Sequence, residues 1–398
     1  MPDPNGRGQL DVNGLLSELS EQRVVELASS LIEIPSINPP GEYEEVTTLV
    51  EGIFRRMGLE VSTTDCHEGR TNIVGFLKGS GGGDSVCLAS HMDVVPTGDP
   101  AAWDRDPFRP VVEDGILWGR GSADSKGMLA GMIAAVEAIQ ASHVQLSGDL
   151  YLVAYVDDET AGPCGLRDVF KHGLARADHV ILGEATDHIV QHVFKGRIWV
   201  VIETEGLASH GAFPDRGVNA IDKAVEIMKA VRSIPLEEHP LLGPDTVSIG
   251  KIEGGHQVNV VADRCSVWFD VRWGPPRTSK EILGSIAEAA AAVDPSFDQV
   301  RSMVVTEERD PLVFDPEEGL FSVMREAGKE VLGRSLEMGG WYSSGELWPL
   351  HSQGSMKVGA VVGPGQPWQA HAFNEHIRVD ELVKGAQVYA VTAASLAL

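Results

Sequence analysis

Apolar residues recur at helical spacing between Val12 and Ile34, at Leu15, Leu19, Val24, Leu27 and Leu31, and predict a helical stretch there. The segment I-P-S-I-N-P-P-G, Ile34 to Gly41, breaks it with prolines and a glycine. A second helical pattern follows to about Met57. Short apolar runs at Asn72–Leu77, Ser85–Ser90, Asp149–Val156 and His179–Leu182 then read as strands, each separated from the next by helix or loop. Strands alternating with helices predict an α/β layer with a mostly parallel sheet.

From about Lys195 the pattern changes. Arg197–Glu205 reads as a strand, Gly217–Ile234 as an amphipathic helix, Thr246–Glu253 and Arg264–Trp273 as strands, Ser279–Val293 as an Ala-rich helix, and Val300–Glu307 as a last strand. That β-α-β-β-α-β order is the split βαβ arrangement of a ferredoxin-like domain. The α/β style resumes from about Leu312. The expected architecture is therefore a discontinuous catalytic α/β domain, 1–194 and 309–398, with a lid inserted at 195–308.

Composition narrows the function. The 398 residues carry 32 Lys plus Arg against 58 Asp plus Glu, a formal net charge of −26. Such a surface repels phosphate backbones and anionic headgroups, so neither nucleic acid nor a membrane surface is an expected partner. No apolar run approaches the ~18 residues of a membrane span, and the polar start M-P-D-P-N-G-R-G lacks the apolar core of a signal peptide. Four cysteines (Cys66, Cys87, Cys164, Cys265) stand far apart with no C-x-x-C pair, which fits reduced thiols in a cytoplasmic enzyme. The Gly-rich stretch 79–83 lacks the Lys-Ser/Thr of a phosphate loop and precedes a strand, so it reads as a hairpin or surface turn.

The informative polar residues follow apolar strands. Val86–Ala89 leads to Ser90-His91-Met92-Asp93, Leu150–Val156 to Asp157-Asp158-Glu159, and Val180–Leu182 to Gly183-Glu184. Open α/β sheets place their ligand crevice beyond the carboxyl ends of the strands, where these groups would converge. Asp124 sits in G-R-G-S-A-D-S-K-G before a Met/Ala/Leu-rich helix, and His371 in the late loop G-P-G-Q-P-W-Q-A-H. Singly these motifs are commonplace; together they describe a metal site. Oxygen and nitrogen donors without sulfur suit Zn²⁺, Mn²⁺ or Co²⁺. A carboxylate behind a metal-bound imidazole fixes its tautomer, a role open to Asp93 behind His91. Two ions need a shared carboxylate between them, and as a pair they polarise a carbonyl and activate water.

These residues resemble the dimetal superfamily of aminoacylases, glutamate carboxypeptidases, acetylornithine deacetylases and succinyl-diaminopimelate desuccinylases. The matching segments run in order over nearly the whole chain: I-P-S-I-N-P-P-G (34–41), H-M-D-V-V-P (91–96), W-x-x-D-P-F (103–108), D-G-I-L-W-G-R-G-S-A-D-S-K-G (114–127), D-D-E (157–159) and L-G-E-A-T (182–186). They continue with S-H-G-A-F-P-D-R-G-V-N-A-I (209–221), G-G-H-Q-V-N-V-V-A-D (254–263), D-V-R (270–272) and A-H-x-x-N-E (370–375). The resemblance implies two divalent ions bridged by Asp124, with His91 and Glu184 completing one shell and Glu159 and His371 the other. It implies Asp93 as orienter of His91, Glu375 in the outer shell, Asp158 as general base, and lid residue His210 as oxyanion stabiliser, in many members across a dimer interface. Asn259 and Arg272 match positions that hold a substrate carboxylate. A cis peptide at Asp124–Ser125 and a homodimer formed through the lid are further implications.

Two features depart from that pattern. Asp158 stands where the family nearly always has Glu, which sets its carboxylate back by about 1.5 Å on an unchanged backbone. Asp157 is no substitute, because adjacent strand residues point to opposite faces. The segment G-G-W-Y-S-S-G-E-L-W, 339 to 348, is aromatic where a small residue and Asp are usual; Trp341, Tyr342, Trp348 and nearby Trp368 are either packing or a flat pocket wall. The leading expectation is hydrolysis of an amide C–N bond in a small carboxylate-bearing substrate, foremost deacylation of an N-acyl amino acid or cleavage of a dipeptide-like compound. The alternatives are hydrolytic deamination of an aromatic amino acid and a non-catalytic metal-binding relative.

Overall fold

The computed structural model describes residues 10–67, 69–343 and 345–398, with Arg301 described by its backbone alone. The chain forms two compact units, one comprising the chain to His192 with Phe314–Met338 and Pro349–Leu398, the other Val193–Val313 with Gly339–Trp348.

The first unit is built on a mixed sheet. Its order runs Glu60–Asp65, Thr71–Leu77, Leu150–Tyr155, Val86–His91, His179–Leu182, Val358–Val361 and Val190–Phe194, the last strand leading into the second unit. The four central strands, Leu150–Tyr155 to Val358–Val361, are parallel, as the strand–helix alternation implies, and antiparallel strands flank them. Every residue of Val86–His91 is buried, so this strand reads as a continuous apolar run. Lys126–Ala141, buried on nearly all sides, and Val379–Ala397 cover the sheet as helices.

Three sequence expectations are refined here. The N-terminal helical stretch is two helices, Val12–Ser17 and Glu21–Ile32, because the Ser20 side chain accepts from the Arg23 N–H and starts a new helix. Of the two readings of Gly79–Gly83, the surface turn holds and the hairpin does not, since Leu150–Tyr155 lies between the strands it joins. The cysteines also differ from the expectation of four reduced thiols. Cys66 and Cys164, 98 residues apart, form a disulfide, while Cys87 and Cys265 are free and buried. Among the described residues no helix is long and apolar enough to cross a membrane.

The second unit has the β-α-β-β-α-β order read from the sequence. Its antiparallel sheet runs Thr246–Gly254, Arg264–Trp273, Gly196–Glu205, Met303–Arg309. Residues of Arg264–Trp273 alternate between buried and half-buried along most of their length, and the buried face packs with helices Ala220–Arg232 and Ser279–Val293 around Val200, Ile202, Ile227, Phe269 and Ile286. Thr278 and Glu281 cap the second helix reciprocally.

Candidate metal centre

Register brings the site together. His91 pairs with Tyr155, and Ala89 with both Val153 and Leu182, so three parallel strands end at one level. His91 ends its strand, Asp157-Asp158-Glu159 follow Tyr155 by two residues, and Glu184 follows Leu182 by two. Asp124 arrives from the turn before Lys126–Ala141, across a cis Asp124–Ser125 peptide. His371 comes from the loop after Val358–Val361, with φ 63°.

Asp124 faces two ways. Its Oδ1 lies 3.1 Å from His91 Nε2 and its Oδ2 3.4 Å from His371 Nε2. Glu184 Oε1 is 3.6 Å from His91 Nε2, and Glu159 Oε2 is 2.9 Å from His371 Nε2. His91 Nδ1 is 2.9 Å from the Asp93 carbonyl oxygen and 3.5 Å from its carboxylate, which turns Nε2 towards Asp124. Donor atoms of His91, Asp124 and Glu159, and separately of His91, Asp158 and Glu184, all lie within 4.8 Å of one another. The shorter Asp158 thus still faces the cluster. Its Oδ1 accepts from Tyr155 Oη at 3.1 Å, and its N–H donates to Asp93 at 3.4 Å.

So many carboxylates in one buried crevice call for positive charge. Burial, then the Asp124 charge, pushes Glu159 up to about 7. Glu184 is raised well above the carboxylate range by burial, with Asp124, Asp158 and Glu159 adding to it. Asp158 is raised by burial and by Asp93 and Asp124. His91, which burial would lower, is held well above the usual imidazole range by Glu184, Asp124 and Asp93. His371 is raised by its hydrogen bond to the Glu159 carboxylate. Divalent ions would supply the positive charge that this cluster calls for, and the oxygen–nitrogen donor set, with Asp124 standing between two imidazoles, fits them.

Supporting residues complete the arrangement. Buried Glu375 accepts from the backbone N–H groups of Gly121, Ala123 and Asp124 at 3.0, 2.8 and 2.9 Å, and pairs with buried Arg120 at 2.6 Å. Tyr155, Arg120 and Asn38 were not singled out as site residues by sequence reasoning. Asn38 Nδ2 donates to Asp93 at 2.9 Å and Thr160 at 3.1 Å. Only Asn38 and Arg120 lay in a recognised motif; Tyr155 ends an apolar strand and carried no signal beyond that.

The remaining candidates, Trp368 apart, belong to the second unit. His210 is exposed, with Nδ1 accepting from the Ala212 N–H at 3.0 Å. The Asn259 carbonyl accepts from Gly211 at 2.7 Å. Arg272 clasps Asp270 through Nε and Nη2, both at 3.0 Å, and Nη1 reaches the Tyr342 carbonyl at 3.4 Å. Trp341 and Tyr342 stack with ring centroids 4.5 Å apart, Tyr342 being exposed. Trp348 is half-buried, and Trp368, in the first unit, is exposed.

Residues 87–395 match the model of peptidase family M20/M25/M40. The chain belongs to this family. Among M20 relatives, the N-formyl-4-amino-5-aminomethyl-2-methylpyrimidine deformylase of Bacillus subtilis is 26% identical, over 93% of this chain and 94% of its own. The acetylornithine deacetylase of Erwinia tasmaniensis is 29% identical over 89% and 92%. The aminopeptidase PepT structure from Bacillus cereus superposes with a TM-score of 0.77 at 20% identity, covering 96% of this chain and all of that one (100%). The M20 chain is accordingly a hydrolase of C–N bonds with a candidate metal-binding group at its centre. Deformylase and deacetylase relatives do not favour the aromatic deaminase or the non-catalytic reading.

Proposed function

We propose that the protein removes the acyl group from a small carboxylate-bearing N-acyl amino acid or dipeptide-like amide, using two divalent ions, Zn²⁺ before Mn²⁺ or Co²⁺. The observation that carries this reading is Asp124, whose two oxygens stand 3.1 Å from His91 Nε2 and 3.4 Å from His371 Nε2. His91 and Glu184 would hold one ion, Glu159 and His371 the other, and Asp124 both. When bound, the ions polarise the amide carbonyl and lower the pKa of water.

The chain's own groups do the rest. Asp93 fixes the His91 ring, and Tyr155 holds the Asp158 carboxylate in place. Asp158 takes a proton from the attacking water and returns it to the leaving nitrogen as the C–N bond breaks, leaving a carboxylate and an amine. His210 stabilises the oxyanion, and Arg272 with Asn259 holds the substrate carboxylate. Asp270 occupies one edge of the Arg272 guanidinium and so aims the other. The lid also supplies the homodimer contact in this reading. Exposed Leu207, Phe213, Val258 and Ile252, the last on edge strand Thr246–Gly254, support that.

The test is metal content with product analysis. The purified protein is expected to hold close to two ions per chain, Asp124→Ala to lose them, and N-acyl amino acids to yield free carboxylate and amine. Ammonia as product, or undiminished metal in Asp124→Ala, would overturn the reading.

A further inference from the structure

The loop carrying Asp158 and Glu159 is held through Asp157 by Arg70, a residue that neither the motifs nor the ligand set include. Asp157 is buried, with a φ of 71°, and its side chain points away from the ligand cluster into the loop's own interior. Its carboxylate accepts from Thr160 Oγ1 at 3.1 Å, the Cys164 N–H at 3.2 Å and Asn38 Nδ2 at 3.4 Å, and its carbonyl accepts from the Gly162 N–H at 2.9 Å. A Cβ at position 162 would stand 1.7 Å from Asp157 Oδ2, so the loop closes around this carboxylate only with glycine there. The cation on Asp157 is Arg70, whose Nη1 bonds directly to Oδ1 and whose Nη2 reaches the Pro40 carbonyl at 3.4 Å. Arg70 comes from the start of a neighbouring strand, 87 residues away in sequence.

The geometry points to Arg70 as a positioning residue for the metal centre. It neutralises and orients Asp157, the loop winds around Asp157, and Glu159 is thereby set against His371. The other side of the loop is fixed by Asp93, which accepts from the Glu159 N–H at 3.1 Å and is tied through Asn38 to the same Asp157. Without Arg70, Asp157 becomes a buried charge lacking its counterion, and turning it towards solvent unwinds the loop that presents Glu159. The Cys66–Cys164 disulfide ties the loop's far end to the chain near Arg70, so Arg70→Ala is expected to spare the fold while the aim is lost. The inference rests on Glu159 holding one of two ions, as proposed above.

Calorimetric titration of the full-length, chelator-stripped, disulfide-intact protein with Zn²⁺ separates the possibilities. The wild type is expected to bind two ions, and Glu159→Ala identifies the site that depends on Glu159. In Arg70→Ala that same site should weaken about tenfold or more, the range seen when outer-shell partners of metal ligands are removed. The other site should keep its affinity, and Arg70→Lys should restore part of the loss. Both sites unchanged, or both weakened equally, would overturn the assignment. Should Arg70→Ala not fold, Arg70→Gln keeps a donor without the charge and must weaken the Glu159 site selectively; a wild-type titration overturns the inference. Fewer than two ions in the wild type would instead bring down the dimetal reading, and this inference with it.

Discussion

Asp158 is one methylene shorter than the glutamate usual at its position, yet its carboxylate stands within 4.8 Å of the donor atoms of His91 and Glu184. The local backbone explains this. The left-handed Asp157 turns the chain immediately after the strand, Asp93 accepts from the N–H groups of Asp158 and Glu159, and Tyr155 Oη holds the Asp158 side chain. A proton-transfer group contributes about 10²–10⁴-fold to rate. Asp158→Asn is therefore expected to lower kcat by about that factor while metal content measured by mass spectrometry stays at the parental value. An Asn variant as active as the parent would remove Asp158 from the mechanism. Tyr155→Phe frees the carboxylate without removing it, so its loss of kcat should be the smaller of the two, with KM little changed.

At the scale of elements, the turn 119–125 and the loop 371–375 are joined by the buried Arg120–Glu375 pair, which sets the backbone of Asp124. Removing one member of a buried pair leaves the other uncompensated and costs about 3–5 kcal/mol. Arg120→Met should lower the denaturant midpoint accordingly, whereas exposed Arg378→Met, whose partner is Asp380, should leave it nearly unchanged. Most of the element pattern was legible. All-buried strands read as apolar runs, the ferredoxin-like order appeared from alternation and helical spacing, and His91, Asp158, Glu159 and Glu184 stood at or just past strand ends. What the sequence hid were pairings made by the third dimension. Cys66, just past the end of strand Glu60–Asp65, meets Cys164, whose carbonyl accepts at 2.7 Å from Asn72 on the adjacent strand, which also bonds Thr64 of the first. The Arg70–Asp157 pair, 87 residues apart, is likewise invisible to spacing, whereas the Ser20 cap is a local signal that the continuous apolar periodicity on either side of it masks. Replacing both cysteines by alanine should cost about 2–5 kcal/mol, read from chemical unfolding.

For the whole molecule, the crowding of carboxylates makes stability depend on metal and pH together. In the metal-free protein Glu159 rises to about 7 from an ordinary 4.5, through burial first and the Asp124 charge second. Glu184, Asp158, His91 and His371 are raised as well. A folded state that binds more protons than the unfolded one loses stability as pH rises. For Glu159 that loss falls between pH 4.5 and about 7. The lowered groups Asp93, Asp124 and Asp178 exert their opposite effect below 3.8, outside that window, and Lys126, lowered to about 7 by burial, acts only above it. His188, lowered by burial from 6.5, is a group working the other way within the window. The chelator-treated protein should thus melt at a higher temperature at pH 5.5 than at pH 7.5. Divalent ions replace the protons, so adding Zn²⁺ should raise the melting temperature most at pH 7.5 and reverse the order of the two values. A metal-free protein that gains stability steadily from pH 5.5 to 7.5 would mean that these carboxylates are not jointly buried, and the shared metal centre would lose its electrostatic basis.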